Sequence, residues 1–495
     1  MISRTTPKTL DPADWGPVRK LTHRAVDDML AYVANAREKA GWQPIPEATR
    51  EHFRQPLPRR CQSEESVYRE FIEYVLPYPL GNLHPRFWGW VSGSGSAHGM
   101  LADFLASSMN SSLNGFQQAP ELVEQQVLDW VKELMGFPKT ASAVMVSSGS
   151  LANFVGLAAA RNAKASGDVN VAGLAGEPSP MTYYCSVETH SSMKKGLQLL
   201  GVGTKFLRLI PVDQDYQIDL HALRHAIEKD ARAGLRPAVL IGTAGTTDQG
   251  AFDDLDSLAD IASEHGMWLH VDGAFGATVM ISDRLRVMAK GLERADSLAL
   301  DFHKWFYIPY GVACTLVRDE AAHRNPFTVK AGYLSKLKRG VSATEFRFAD
   351  YSPELSREFM ALKVWMCFKT FGLEKLSKLI EQNVDQAAYL ANLIRVTPEL
   401  ELITPVRLNV VCFRFIANGL DEESLNDLNA RIVMALQEQR IAVPSHTMNK
   451  NRLVIRVAIC NHRSVDNDFD VLVQETVRLG EELSFTEEIG NAESG

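Results

Sequence analysis

Five short apolar runs between residues 143 and 302 each break off into small, hydroxylated or charged residues, and stretches of helical periodicity separate them. They read "AVMVSS", "TYYCSV", "AVLIGTAG", "MWLHVDGA" and "DSLALDF". Apolar residues at consecutive rather than alternate positions predict strands buried on both faces. Strands of that kind alternating with helices predict an α/β fold with a mostly parallel sheet. Such a sheet binds ligands at the carboxyl ends of its strands, where the polar clusters stand.

The flanking regions read differently. The first 95 residues form an N-terminal helical segment, with Ser63 capping "SEESVYREFIEYV", and end in the loop "HPRFWGWVSGSGS". Residues 96–380 carry the large domain. From 381 to 495 the order helix, strand, helix, strand, helix predicts a smaller α+β C-terminal domain. The net charge of −8 comes without any basic run. A nucleic acid or a membrane is therefore not an expected partner, and a small-molecule substrate is. The N-terminus lacks an apolar signal core and no run is long enough to span a bilayer, which predicts a cytoplasmic protein. Six cysteines without a C-x-x-C pair predict free thiols, and no metal site is expected.

Each run ends in chemistry. Ser148, Gly149 and Ser150 feed a helix N-terminus, where free backbone N–H groups, hydroxyls and the helix dipole suit a phosphate. Taken alone, the same residues also make an ordinary helix cap. His190 follows the second run, where it is placed to stack on a ring, move a proton or serve structure only. Thr247 lies in the small-residue turn after the third. Asp272 closes the fourth, and a carboxylate at the end of a buried strand needs a cationic partner such as a protonated ring nitrogen. Lys304 follows the fifth, between Phe302, Trp305 and Phe306. Loss of ammonium hydration there favours the nucleophilic amine of a Schiff-base lysine. A phosphate cradle, a stacking imidazole, a carboxylate and an amine together meet the needs of pyridoxal 5′-phosphate, PLP.

The chain resembles the group II PLP-dependent amino-acid decarboxylases. The resemblance is carried by "HPRFWGW", "SSGSLANF", "CSVETHSS", "TAGTTDQGAFDDL", "HVDGAFGA", "DFHKW", "AGYLS" and "IRVAICNHRS". It implies PLP transferase fold type I, with a seven-stranded large domain, and a homodimer with active sites at the interface. It implies decarboxylation of an L-amino acid to the amine and carbon dioxide. By the same resemblance Lys304 is the Schiff-base lysine, Asp272 pairs with the pyridinium, and His190 and Ala274 flank the ring. Ser148, Gly149, Ser150 and His303 contact the phosphate, with Thr247 near the cofactor. Tyr333 is the lid tyrosine that returns a proton to Cα, with water held by His190 as the alternative donor, and Trp90, Asn114 and Arg456 meet the substrate. The family commonly has proline before the HK pair, where this chain has Phe302. Gly273 and Phe275 replace the usual Ala and Tyr, and Ser112 and Asn114 make the expected side-chain pocket more polar than in aromatic-specific relatives. The competing readings are a PLP aldehyde synthase, against which Tyr333 argues, an aminotransferase or other fold-type-I enzyme, and a binding protein on a decayed enzyme fold.

Overall fold

The computed structural model describes residues 8–329, 338–344 and 346–492, with side chains to 484. Seven strands form the central sheet: β1 (Ser142–Val146), β2 (Met181–Ser186), β3 (Leu207–Ile210), β4 (Arg236–Thr243), β5 (Trp268–Asp272), β6 (Ser297–Asp301) and β7 (Ala313–Val317). Their order is β1-β7-β6-β5-β4-β2-β3. Only β7 runs against the rest, pairing antiparallel with both β1 and β6, so the sheet is mostly parallel as expected. β1, β2, β5 and β6 are buried along their whole length, which is why they read as apolar runs. β7 is equally buried, yet it is not among the five runs singled out from the sequence. β3 is an edge strand with one buried residue, and it gives no such signal.

A second sheet of four strands is antiparallel throughout, in the order β10-β11-β9-β8, from β8 (Leu400–Leu402), β9 (Val410–Phe415), β10 (Ser445–Asn449) and β11 (Arg452–Ala458). The helices Glu422–Glu438 and Asp466–Ala492 belong to this region. A helical stretch, Ala361–Val396, joins the two parts, interrupted at Gly372, whose φ of 68° no L-residue adopts readily. The boundary expected at 380/381 falls inside this stretch, so the connection is helical rather than a loop.

The loop after the N-terminal segment is stitched into the smaller sheet. Trp88 N–H donates to Val443 O at 2.9 Å, Ala458 N–H donates to Trp88 O at 3.0 Å, and the buried indole stacks on Phe469. The chain leaves this anchor at Trp90 and enters the glycine-rich turn 92–96 at the carboxyl edge of the large sheet. Ser63 caps its helix as expected, accepting from Ser66 N–H. All six cysteines are free thiols, and five are buried. Among the described residues no helix is long and apolar enough to cross a membrane, and no cluster of acidic, histidine or cysteine side chains is arranged to hold a metal ion.

Burial holds four histidines neutral: His84, His270 and His462 are pushed down to about 4 and His323 to about 3. Their folded values lie below the ordinary 6.5, so the stability they confer is complete above pH 6.5 and is lost as pH falls toward 4. Asp253, raised to about 6 by burial, opposes this between 3.8 and 6, as do the carboxyls of Asp103, Glu124, Glu188, Asp296 and Glu354, which burial also raises. His190 and the carboxylates held low at Glu177, Asp256 and Glu264 act with the four histidines. Thermal unfolding should therefore shift to lower temperature as the pH is taken from 7 to 4.5. Each fully buried histidine contributes up to about 3 kcal/mol. A midpoint that stays level or rises over that range would contradict the assignment.

Candidate active site

Because β1 runs parallel to β6, the carboxyl ends of β1, β2, β4, β5 and β6 all reach one edge of the sheet, where they surround a cavity of about 170 Å³. After β1, Ser148 caps the helix Gly149–Lys164, its Oγ accepting from Leu151 N–H at 3.3 Å. Gly149 N–H donates to Asp301 Oδ2 at 3.2 Å. A Cβ at Gly149 would lie 3.0 Å from that carboxylate and 3.1 Å from the Ala274 methyl, so the helix start sits close against the β5 and β6 turns. Ser148, Gly149, Ser150, His190, Thr247, Asp272, Ala274, His303 and Lys304 all line the cavity, so the structure brings together nine of the side chains singled out from the sequence.

Asp272 is buried, and its Oδ1 accepts from Ala274 N–H at 3.2 Å. Lys304 is half-buried, and among the described residues its Nζ has neither a hydrogen bond nor an ion pair. His190 Nδ1 accepts from Ser192 N–H at 3.3 Å and lies 2.9 Å from Ser192 Oγ. Burial holds this imidazole below its usual range, with Asp272 drawing it up and Lys304 pressing it down. His303 packs tilted against Tyr310, ring centroids 4.5 Å apart, and its Nδ1 is 2.8 Å from Asp301 Oδ1 without forming a hydrogen bond. An unpartnered amine, a buried carboxylate and a capped helix start share one small cavity. That donor set fits a phosphorylated pyridine aldehyde: phosphate at the helix start, ring nitrogen at the carboxylate and carbonyl at the amine.

Residues 46–416 match the model of the pyridoxal-dependent decarboxylase conserved domain. The chain is 31% identical to the aromatic-L-amino-acid decarboxylase of Bacillus atrophaeus, over 95% of this chain and 96% of that one. The chain belongs to the pyridoxal-dependent decarboxylase family. Its fold is that of the Oryza sativa TDC crystallised with PLP and tryptamine, with a TM-score of 0.88, 26% identity, and coverage of 96% of this chain and 100% of that one. A phenylacetaldehyde synthase of Arabidopsis thaliana is 27% identical over 91% of this chain and 93% of its own. The decarboxylase uses PLP, and its reaction converts an amino acid to the amine with loss of carbon dioxide.

In this decarboxylase the loop that presents Lys304 is held from both sides. Phe302 points away from the cavity into the core, against Phe306 and Phe368, and its N–H donates to Val312 O at 3.1 Å. The side chain that breaks the family's proline habit is thus a core residue, and its backbone uses the donor that proline lacks. On the other side, Gly93 packs so tightly that a Cβ would fall 2.1 Å from Lys304 O and 2.2 Å from His303 O. Tyr307, at φ 56°, turns the chain and is fastened by its hydroxyl to Asn383 Oδ1 at 2.7 Å.

Trp90, Asn114 and Arg456 do not line the cavity. Trp90 stands at φ 53°, half-exposed, with its N–H on Ser445 Oγ. Asn114 sits in a turn held by Glu121, which accepts from Gly115 and Phe116 N–H, and its buried Oδ1 has no partner. Arg456 is buried and gives its donors to Thr247 O, Asp248 O and Ser445 Oγ. Its guanidinium fastens the Thr247 turn instead of standing free toward a substrate carboxylate. Tyr333 lies outside the described residues. Asp301, Asn153 and Ser192 line the cavity without standing out in the sequence. The signal for Asn153 is faint but real: it is a polar residue on the buried face of an otherwise alanine-rich helix.

Phe302→Pro removes a buried ring together with a backbone hydrogen bond. It should destabilise the protein by about 3–5 kcal/mol in denaturant unfolding, despite introducing the proline that the family resemblance leads one to expect. A stability equal to the parent would show that the Phe302 packing counts for little.

Proposed function

We propose that this decarboxylase acts on an aromatic L-amino acid through Lys304. The observation that carries the assignment is the unpartnered Lys304 amine in one cavity with Asp272 and the helix start. Ser148, Gly149, Ser150 and His303 would hold the phosphate. Asp272 would hold a proton at the ring nitrogen, His190 and Ala274 would flank the ring, and Thr247 would lie beside it. Gly149 has already given its own N–H to Asp301, so its part is to allow close approach. When bound, PLP supplies a sink for the electron pair left on Cα as carbon dioxide departs. Lys304 would hold the cofactor before substrate enters and would release the product amine afterwards. Tyr333 would return the proton to Cα, which would direct the reaction to amine rather than aldehyde.

The aromatic class is supported by the relative from Bacillus atrophaeus and by half-exposed Trp90 beside the glycine turn that packs on Lys304. A homodimer is supported by apolar surface near the site. The helix Ala97–Met109 leaves Leu101, Phe104, Leu105 and Met109 between 40% and 54% exposed, and the helix Trp15–Ala34 has no buried residue. A second copy covering these faces would complete the site around Asn114 and Trp90. Free thiols throughout support a cytoplasmic setting.

Two measurements test this. PLP-loaded protein offered a panel of amino acids, with carbon dioxide, amine, aldehyde and keto acid assayed together, should turn over tryptophan, tyrosine or dihydroxyphenylalanine to the amine. The margin over glutamate should be on the order of 100-fold or more. Glutamate preference would sink the aromatic assignment, and aldehyde as main product would sink the role of Tyr333. Lys304→Ala should abolish turnover and the visible band of lysine-bound cofactor while leaving the far-ultraviolet circular dichroism unchanged. Retention of either activity or band would place the reactive amine elsewhere.

A further inference from the structure

A line of buried polar side chains runs beneath the sheet edge to His190. Trp268 Nε1 donates to Ser297 Oγ at 2.8 Å, and Ser297 Oγ lies 2.8 Å from His270 Nδ1. His270 Nε2 lies 3.0 Å from Asn153 Oδ1, and Asn153 Nδ2 donates to Ser192 Oγ at 3.2 Å. Ser192 Oγ is 2.9 Å from His190 Nδ1. Every member before His190 is buried. Gly156 closes over the His270 ring so tightly that a Cβ would stand 2.5 Å from Cε1.

The far end fixes the direction of every bond. An indole N–H only donates. Ser297 Oγ therefore accepts from Trp268, and the hydroxyl must place its own proton, for which His270 Nδ1 is the acceptor in reach. Leaving that proton unplaced in a dry site costs about 1–3 kcal/mol. His270, held neutral by burial, thus carries its one proton on Nε2 and gives it to Asn153 Oδ1. The amide is then turned with Nδ2 toward Ser192, whose oxygen accepts and whose hydroxyl proton goes on to His190 Nδ1. Ser192 N–H donates to the same nitrogen at 3.3 Å. Two donors on Nδ1 leave the His190 proton on Nε2, which has no protein partner among the described residues while the ring lines the cavity.

We propose that Asn153 and His270 are positioning residues that set His190 as its Nε2–H tautomer, so that the imidazole offers a hydrogen-bond donor, and no base, to whatever occupies the cavity. The proposal rests on the reading of this cavity as the PLP site only for its catalytic consequence; the tautomer itself belongs to the chain with or without cofactor. Protonating His190 would require breaking both bonds from Ser192. The charged groups that bear on the ring divide evenly: Asp272 and Asp248 favour the imidazolium, Lys304 and Lys195 oppose it.

The test is nuclear magnetic resonance of protein labelled with 15N in the histidine rings, without cofactor and with PLP, the His190 signals being assigned by their loss in His190→Gln. At pH 7.5 the expected result is a protonated Nε2 and an unprotonated Nδ1 in both forms. A protonated Nδ1 in the parent protein overturns the proposal without any variant of the relay. Asn153→Asp keeps the shape but can only accept, so the Ser192 proton should turn to it, the Nδ1-protonated fraction should rise, and the His190 midpoint should climb by about one pH unit. Ser192→Ala removes the last hydroxyl without adding charge, and should also raise the Nδ1-protonated fraction, by less. An unchanged tautomer in both folded variants would show that the relay does not set it, whatever Lys304→Ala does to turnover.

Discussion

Backbone hydrogen bonding between strands that run the same way is the constraint on which the site depends. Parallel pairing of β3, β2, β4, β5 and β6, with β1 brought into the same sense through antiparallel β7, leaves six carboxyl ends at one edge, five of them around the cavity. Side-chain direction is set by the same bonds. Asp272 stands opposite Thr243 on one side and Ala299 on the other, and a slip of one residue would turn its carboxylate to the opposite face of the sheet. The reactive groups come together because the ladder admits one register.

A polar edge inside a large core has to satisfy its own members. Asp253 accepts from Ile218 and Thr243 N–H, fixing the end of β4. Asp301 accepts from Gly149 and His303 N–H, joining the ends of β1 and β6. Glu124 and Arg357, both fully buried, pair with each other and with Met145 near the carboxyl end of β1, and Arg357 also reaches Leu113 O. Breaking such a pair strands a charge in the core, at a cost of roughly 3–5 kcal/mol. These contacts tie together the strand ends that surround the cavity. Lys304 stands apart from them, and an amine left unpartnered in so well-paired a setting marks the position where chemistry is expected.

The strands that form the site were legible because burial on both faces leaves an unbroken apolar run. β3 and β8 were not, since an edge strand or a three-residue strand carries little periodic signal. The nine cavity residues were legible because each follows a strand end, where polar residue types stand out against apolar ones. Asp301 did not stand out in the sequence, yet it joins two strand ends. Asn153 was hidden because its partners lie far away in sequence, His270 more than a hundred residues distant, and Ser192 because serine after a strand end reads as an ordinary loop residue. Arg456 was expected at the substrate from the family resemblance, and the carbonyls that occupy it instead belong to a turn some two hundred residues earlier.

By itself the sequence determined the fold class, the edge at which ligands gather and the residue types that meet there, because periodicity and strand-end chemistry are local properties. Which of those groups are free and which are already bound was decided by tertiary structure alone. A hydrogen bond consumes a donor only when its acceptor is brought within about 3 Å, and that depends on the packing of segments distant in the chain. Phe302 shows the difference: in the sequence it interrupts a motif, and in the fold it is a core ring whose backbone N–H is needed by Val312.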